Sequence, residues 1–286
     1  KKKKTKKKKK KKKKPYIEIE LVIKHWYRLF SIKRRWIGEL SRIVSRYFLL
    51  TYFKLLKVVQ MQSIAGNVSF SLDSAKIVFS SGNTAQILDI KQEKVIQVLQ
   101  GHSKDVNDVQ FSPDEKMIVS CSADKTIRLW DANSGQVIKI FDGHSDRVIS
   151  VQFSPNGLFI VSCSSDETIR LWNVNTGNQV KILAENLSKP KNVRFSPHGH
   201  LIVSSSYEYT QIWDVQSTNK IHELRADSTH VYKSQISPNG HSVVSALDRA
   251  IRLWDTNSGA ITTLKEGIPY INDVKYSHDG QFFTVI

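Results

Sequence analysis

At 286 residues and a formal net charge of +17, the chain is long enough for one large domain plus an appendage. Residues 1–60 hold 22 Lys and Arg against only Glu18, Glu20 and Glu39, a net of +19, whereas residues 61–286 come to −2, which excludes a basic field over the body of the protein. The two cysteines, Cys121 and Cys163, exclude a disulfide framework and a zinc set, since neither has a CxxC partner; they read as small buried hydrophobes in a reducing compartment.

In chain order, the first element is a lysine-rich, low-complexity tail, residues 1–15, in which positions 1–14 are lysine except Thr5. A run of like charge repels itself and is expected to be disordered. It reads either as an electrostatic tether or import signal, or as a low-complexity expansion with no dedicated partner. The chain begins on Lys, so its native start is expected to lie upstream, and the opening does not read as a signal peptide.

Residues 16–59 form a predicted basic amphipathic helical leader. At 100° per residue, Trp26, Phe30, Ile37, Leu40, Val44, Phe48 and Leu55 share one stripe, and Lys24, Arg28, Arg35, Arg42 and Arg46 lie opposite. Gly38 is a candidate break. Two readings stay open: a helix packed on a folded domain, or a helix lying on an anionic membrane surface. The most apolar stretch, Ile43–Val59, carries Arg46, Lys54 and Lys57, which argues against a membrane span.

From residue 60 the sequence is periodic. Trp130, Trp172, Trp213 and Trp254 are spaced by 42, 41 and 41 residues, and each is followed by Asp or Asn. Leu88-Asp89 is a degenerate earlier copy. Upstream of each lies a turn signal, FSPDE at Phe111, FSPNG at Phe153, FSPHG at Phe195, ISPNG at Ile236 and YSHDG at Tyr276, with FSLDS at Phe70 the weakest. Alternating runs flank these turns, so each unit reads as four strands that must stack on their neighbours to bury both faces.

These units resemble the WD-repeat family, in which each is one blade of a β-propeller. The resemblance is carried by Gly101-His102 and Gly143-His144, each histidine 28 residues before its Trp-Asp/Asn, and covers residues 60–286. It implies an all-β WD-repeat propeller behind the helical leader. About five and a half blades are present, because the copy beginning near Gly267 reaches only Phe282–Ile286. Seven are expected in the full protein, leaving the chain short at its C-terminus by roughly sixty residues at this period.

The resemblance also implies a buried His, Ser, Asp and Trp chain in each blade. The first set is His102, Ser120, Asp124 and Trp130, and the second His144, Ser162, Asp166 and Trp172. The third offers Asn186, Ser204, Glu208 and Trp213, and the fourth Asp227, Ser245, Asp248 and Trp254, each one residue short in the second strand or the hairpin after it. A trio recurring once per blade beside a Trp reads as fastening rather than as a catalytic triad, and no nucleophile elbow, phosphate loop or metalloprotease helix is present. No enzyme activity, cofactor, metal or small-molecule substrate is therefore expected. His198 and His200 read as turn residues.

The expected function is a protein–protein interaction scaffold, cytoplasmic or nuclear. In the family, partners often meet the face where the loop after Gly-His enters the innermost strand. The positions three and five beyond that His give Asp105, Asn107, Arg147, Lys189, Lys191, His230, Tyr232, Tyr270 and Asn272 as the candidate partner-binding set, with Ile149 completing the pattern. Its basic arc and tyrosines suit acidic or phosphorylated peptides. The alternative is that residues 1–60 bind RNA or an anionic membrane and the propeller serves as an adaptor.

Overall fold

The structure is a computed structural model that describes residues 65–184, 189–225, 231–248, 250–266, 274–276 and 283–285. The chain divides into two units, Lys1–Ile64 and Ala65–Ile286. The lysine tail and the predicted leader helix lie outside the described residues, and every element among the described residues is a strand.

Five antiparallel four-stranded sheets and one strand pair follow one another in sequence, each with its strands in chain order. The first comprises β1 (Ala65–Phe70), β2 (Lys76–Ser81), β3 (Thr84–Asp89) and β4 (Lys94–Leu99). The second comprises β5 (Val106–Phe111), β6 (Met117–Ser122), β7 (Ile127–Asp131) and β8 (Val137–Phe141). The third comprises β9 (Val148–Phe153), β10 (Phe159–Ser164), β11 (Ile169–Asn173) and β12 (Gln179–Ala184). The fourth comprises β13 (Asn192–Phe195), β14 (Leu201–Ser205), β15 (Tyr209–Asp214) and β16 (Lys220–Arg225). The fifth comprises β17 (Val231–Ile236), β18 (Ser242–Leu247), β19 (Ala250–Asp255) and β20 (Ile261–Glu266), and the pair β21 (Val274–Tyr276) with β22 (Phe283–Val285) follows.

The turns explain the repeat's fixed letters. In the hairpin after each of the first five innermost strands a serine hydroxyl accepts the N–H at the far side of the turn, as Ser112 does from Met117 and Ser154 from Phe159, both at 2.9 Å. Where Asp or Asn stands two residues on, the serine donates to it in turn, at 2.6 Å to Asp114 and 2.7 Å to Asn156. The left-handed corner falls to Gly157, Gly199 and Gly240, at φ 72°, 75° and 77°. The Asp or Asn after each Trp closes the next turn: Asp131 accepts from the Ser134 N–H at 2.7 Å, Asn173 from the Thr176 N–H at 2.9 Å and Asp255 from the Ser258 N–H at 2.8 Å.

The core is shared between sheets rather than held within them. Trp130 packs with Val78, Ile87 and Leu99 of the first sheet. Trp172 packs with Leu129 and Phe141 of the second, Trp213 with Leu171 of the third, and Trp254 with Ile212 of the fourth. The innermost strands β1, β5, β9, β13, β17 and β21 touch in succession, as in stacked propeller blades.

A second, peripheral link joins the outer strands to the following sheet. Gln97 Nε2 donates to Ser134 O at 3.3 Å, Lys139 Nζ to Val174 O at 3.3 Å and to Asn175 O, Lys181 Nζ to Thr218 Oγ1, and His222 Nε2 contacts Asn257 O at 3.2 Å. These donors stand 42, 42 and 41 residues apart, so the same register position on each outer strand reaches the same turn of its neighbour.

Candidate functional site

In the second and third sheets the Trp-to-Asp chain is continuous. Trp130 Nε1–H donates to Ser120 Oγ at 2.8 Å, Ser120 Oγ meets His102 Nε2 at 2.8 Å, and His102 Nδ1 meets Asp124 Oδ2 at 2.8 Å. The third sheet repeats it with Trp172, Ser162, His144 and Asp166 at 2.8, 2.8 and 2.7 Å. The carboxylate can only accept, so Nδ1 carries the proton; burial favours the neutral imidazole, whose Nε2 then accepts from the serine hydroxyl while that hydroxyl accepts from the indole. Thr126 and Thr168 hold the carboxylates from the other side at 2.7 Å.

Burial is the largest influence on both imidazoles and lowers their basicity below the ordinary 6.5, against the opposing hydrogen bonds and charges of Asp124 and Asp166. Burial works against the Asp124 carboxylate too, but hydrogen bonds from Thr126 and His102 outweigh it and bring its pKa down to about 2. Asp166 is lowered in the same way, with Thr168 and His144 outweighing burial. Ser120 and Ser162 are fully buried, so neither hydroxyl can meet a substrate.

The fourth and fifth sheets keep only the tryptophan end. Trp213 Nε1 donates to Ser204 Oγ at 3.0 Å and Trp254 Nε1 to Ser245 Oγ at 2.9 Å. The missing residue lies in the hairpin. Cys163 faces Ile169 across a five-residue connection, whereas Ser205 faces Thr210 across only four. The shorter turn has no place for the carboxylate: Glu208 is exposed, and Asp248 instead accepts from Tyr232 Oη at 3.1 Å. Both depart from the tetrad roles expected of them, while Asn186 and Asp227 lie outside the described residues. A hydroxyl chain serves Ser245 instead, through Ser234 Oγ at 2.9 Å and Thr210 Oγ1 at 3.2 Å. Three buried atoms of the fourth sheet, Asn192 Oδ1, Ser205 Oγ and Gln211 Oε1, have no hydrogen-bond partner among the described residues.

This recurring geometry is matched by one family model, described as the IFT122 first beta-propeller, over residues 65–285. The chain belongs to that family. No curated protein matches the chain.

Within this propeller the expected loop-face residues fall as follows. Asp105 and Arg147 are exposed just before β5 and β9. Asn107, half-buried on β5, donates to Val148 O at 2.6 Å and accepts from Arg147 Nη2 at 3.4 Å, so the second and third sheets meet there. Lys189 is exposed in a left-handed conformation at φ 47°, with its ammonium 4.9 Å from the Tyr207 ring centroid. Lys191 is exposed. Tyr232 is half-buried and tied to Asp248, so it has a role within the fold that the sequence reading did not give it. Ile149 packs against the core between the third and fourth sheets. His230, Tyr270 and Asn272 lie outside the described residues.

Sequence reasoning missed a buried polar group near the centre of the array. Asp108, on β5, accepts from Asn67 Nδ2 of the first sheet at 2.5 Å, from Ser150 Oγ of the third at 3.0 Å, and from Arg194 Nη1 of the fourth at 3.4 Å. Asn192 Nδ2 continues it to Ser150 Oγ at 3.4 Å. One carboxylate thus joins four consecutive innermost strands. The available signal was a polar residue three before each Phe-Ser: Asn67, Asp108, Ser150 and Asn192. Cys121 and Cys163 are fully buried, and burial pushes the Cys163 thiol up to about 12 and Cys121 in the same direction, which makes both unreactive. Among the described residues no group of three or more His, Cys, Asp and Glu could hold a metal ion, and no helix is long and apolar enough to cross a membrane.

Proposed function

We propose that this propeller is a non-catalytic, intracellular interaction scaffold that docks acidic or phosphorylated peptides on the face carrying Asp105, Asn107, Arg147, Lys189, Lys191 and Tyr232. One observation carries the reading: Arg147, Lys189 and Lys191 stand exposed at the same loop of successive sheets, and none has a carboxylate partner among the described residues. Uncompensated cations beside Tyr207 and Tyr232 offer charge for capture and rings for anchoring. The buried serines of the fastening chains support the non-catalytic part. The test is the triple change Arg147→Glu, Lys189→Glu and Lys191→Glu in the full chain. A fluorescent peptide rich in glutamate and phosphoserine should bind at least tenfold more weakly. Undiminished binding by a folded triple variant would move the site elsewhere.

A second reading rests on the charge split alone. With a net of +19, residues 1–60 would tether the chain to RNA or anionic membranes. Deleting them should then abolish binding to single-stranded RNA and to phosphatidylserine vesicles, binding that in the full chain weakens steeply with salt. Equal binding by residues 61–286 alone would refute it.

A further inference from the structure

The seams between consecutive sheets are not equally apolar. Between the second and third sheets, Cys121 and Ile127 pack with Val148 and Val151 in one buried cluster. Between the third and fourth, Cys163 and Ile169 pack with Val193. The same register positions between the fourth and fifth sheets carry Ser205 and Thr210 on one side and Ser234 on the other, all buried. Thr and Ser each have one heavy atom fewer than the Ile and Val they stand for, so the change adds polarity and removes bulk. The three hydroxyls of Thr210, Ser234 and Ser245 close on one another: Thr210 Oγ1 lies 2.9 Å from Ser234 Oγ and 3.2 Å from Ser245 Oγ, and Ser234 Oγ lies 2.9 Å from Ser245 Oγ. Each hydroxyl has a single proton, and this triangle uses all of them.

Nothing in the triangle is left for Ser205. It stands directly across from Asn192 on one neighbouring strand and Thr210 on the other, and direct cross-strand partners share a face of the sheet. That face is turned to the fifth sheet, where Val203 and Ile212 meet Val243 and Trp254. The Asn192 amide nitrogen is committed to Ser150 Oγ at 3.4 Å, which leaves its oxygen as an acceptor. Ser205 Oγ and Asn192 Oδ1 are both buried without a hydrogen-bond partner among the described residues, in side chains of residues 1 % and 7 % exposed. Ser80, at the corresponding place in the first sheet, is instead matched by the Asn67 N–H at 2.9 Å. We infer that the seam between the fourth and fifth sheets binds one internal water molecule, which donates one proton to Asn192 Oδ1 and is hydrogen-bonded to Ser205 Oγ, with the remaining lone pair of Thr210 Oγ1 as a third contact. Buried waters typically have about two to four such partners. The lining residues enclose the water, so it leaves only when the two sheets part, and its residence time measures the opening of that seam. This site lies within the fold and does not depend on the loop face.

The test is a crystal structure of the full chain at a resolution that shows ordered water, with oxygen-17 relaxation dispersion of the solvent signal as its counterpart in solution. Density should lie within hydrogen-bond distance of both Asn192 Oδ1 and Ser205 Oγ. The double change Ser205→Cys and Ser234→Val gives this seam the side chains found at those positions between the second and third sheets. It should remove one long-lived water from the dispersion amplitude and leave the strand order intact. Density that fails to bridge the two atoms, a direct protein hydrogen bond that satisfies them, or an unchanged amplitude in the folded double variant would each overturn the inference. If the double variant does not fold, the density in the unaltered chain decides alone.

Discussion

The second and third sheets and the fourth and fifth reach the same strand order by different means. In the former, four side chains spread over 28 residues close a buried chain from indole to carboxylate, and each donor and acceptor along it is matched. In the latter, a hairpin one residue shorter leaves no position for the carboxylate. Trp213 and Trp254 still find their serines, but only Ser245 is met further, by the hydroxyls of Ser234 and Thr210, and three buried atoms of the fourth sheet go unmatched among the described residues. A buried polar group is costly when left alone and only modestly stabilising when paired, so the two halves should differ more in tolerance to change than in shape.

The largest expected effect lies in the closed half. Trp172→Ala removes a fully buried ring between the second and third sheets and strands Ser162, and should cost about 3–5 kcal/mol in urea unfolding. Trp172→Phe keeps most of the bulk but not the donor, and should cost about 1–3 kcal/mol. An unchanged urea midpoint for Trp172→Phe would break the claim that the chain fastens the sheet.

Acid should act on the same half. Because the folded imidazoles of His102 and His144 are lowered below 6.5, the unfolded chain binds more protons just below that pH. Their contribution is complete above 6.5 and declines as pH falls through it, by at most about 1.4 kcal/mol per pH unit for each imidazole. The Asp124 contribution is present above 3.8 and is lost between there and about 2. Urea midpoints taken from pH 8 to pH 5 should therefore decrease, and a flat profile would count against the neutral tautomer.

Smaller effects sharpen the contrast. Thr210→Val removes one link of the hydroxyl chain at constant shape and should cost about 1 kcal/mol. Asp166→Asn should cost about 1–3 kcal/mol, whereas Glu208→Gln should stay within about 0.5 kcal/mol, since Glu208 is exposed and outside any fastening chain.

Much of this was legible in the sequence. The 41–42-residue period, the Phe-Ser-Pro turns and the two Gly-His sets lead directly to stacked four-stranded blades and to His102, Ser120, Asp124 and Trp130 with their third-sheet counterparts. The period could not locate the missing residue of the later units, because a deletion in strand or hairpin shortens the spacing equally; only the pairing of Ser205 with Thr210 places it in the turn. The cluster around Asp108 was hidden for another reason. Its members are Asn, Asp, Ser, Asn and Arg, so no one letter marks the position in every unit, and their partnership exists only once neighbouring sheets stack. The outer links from Gln97, Lys139, Lys181 and His222 share that property, being constant in position and not in residue type.

Native-state hydrogen exchange on the full chain, read strand by strand, tests the central contrast most directly. The amides of β6, β7, β10 and β11 should open only with global unfolding, and those of β14, β15, β18 and β19 should exchange through smaller, local openings at least tenfold faster. Equal protection in the two halves, or slower exchange in the fourth and fifth sheets, would contradict the account.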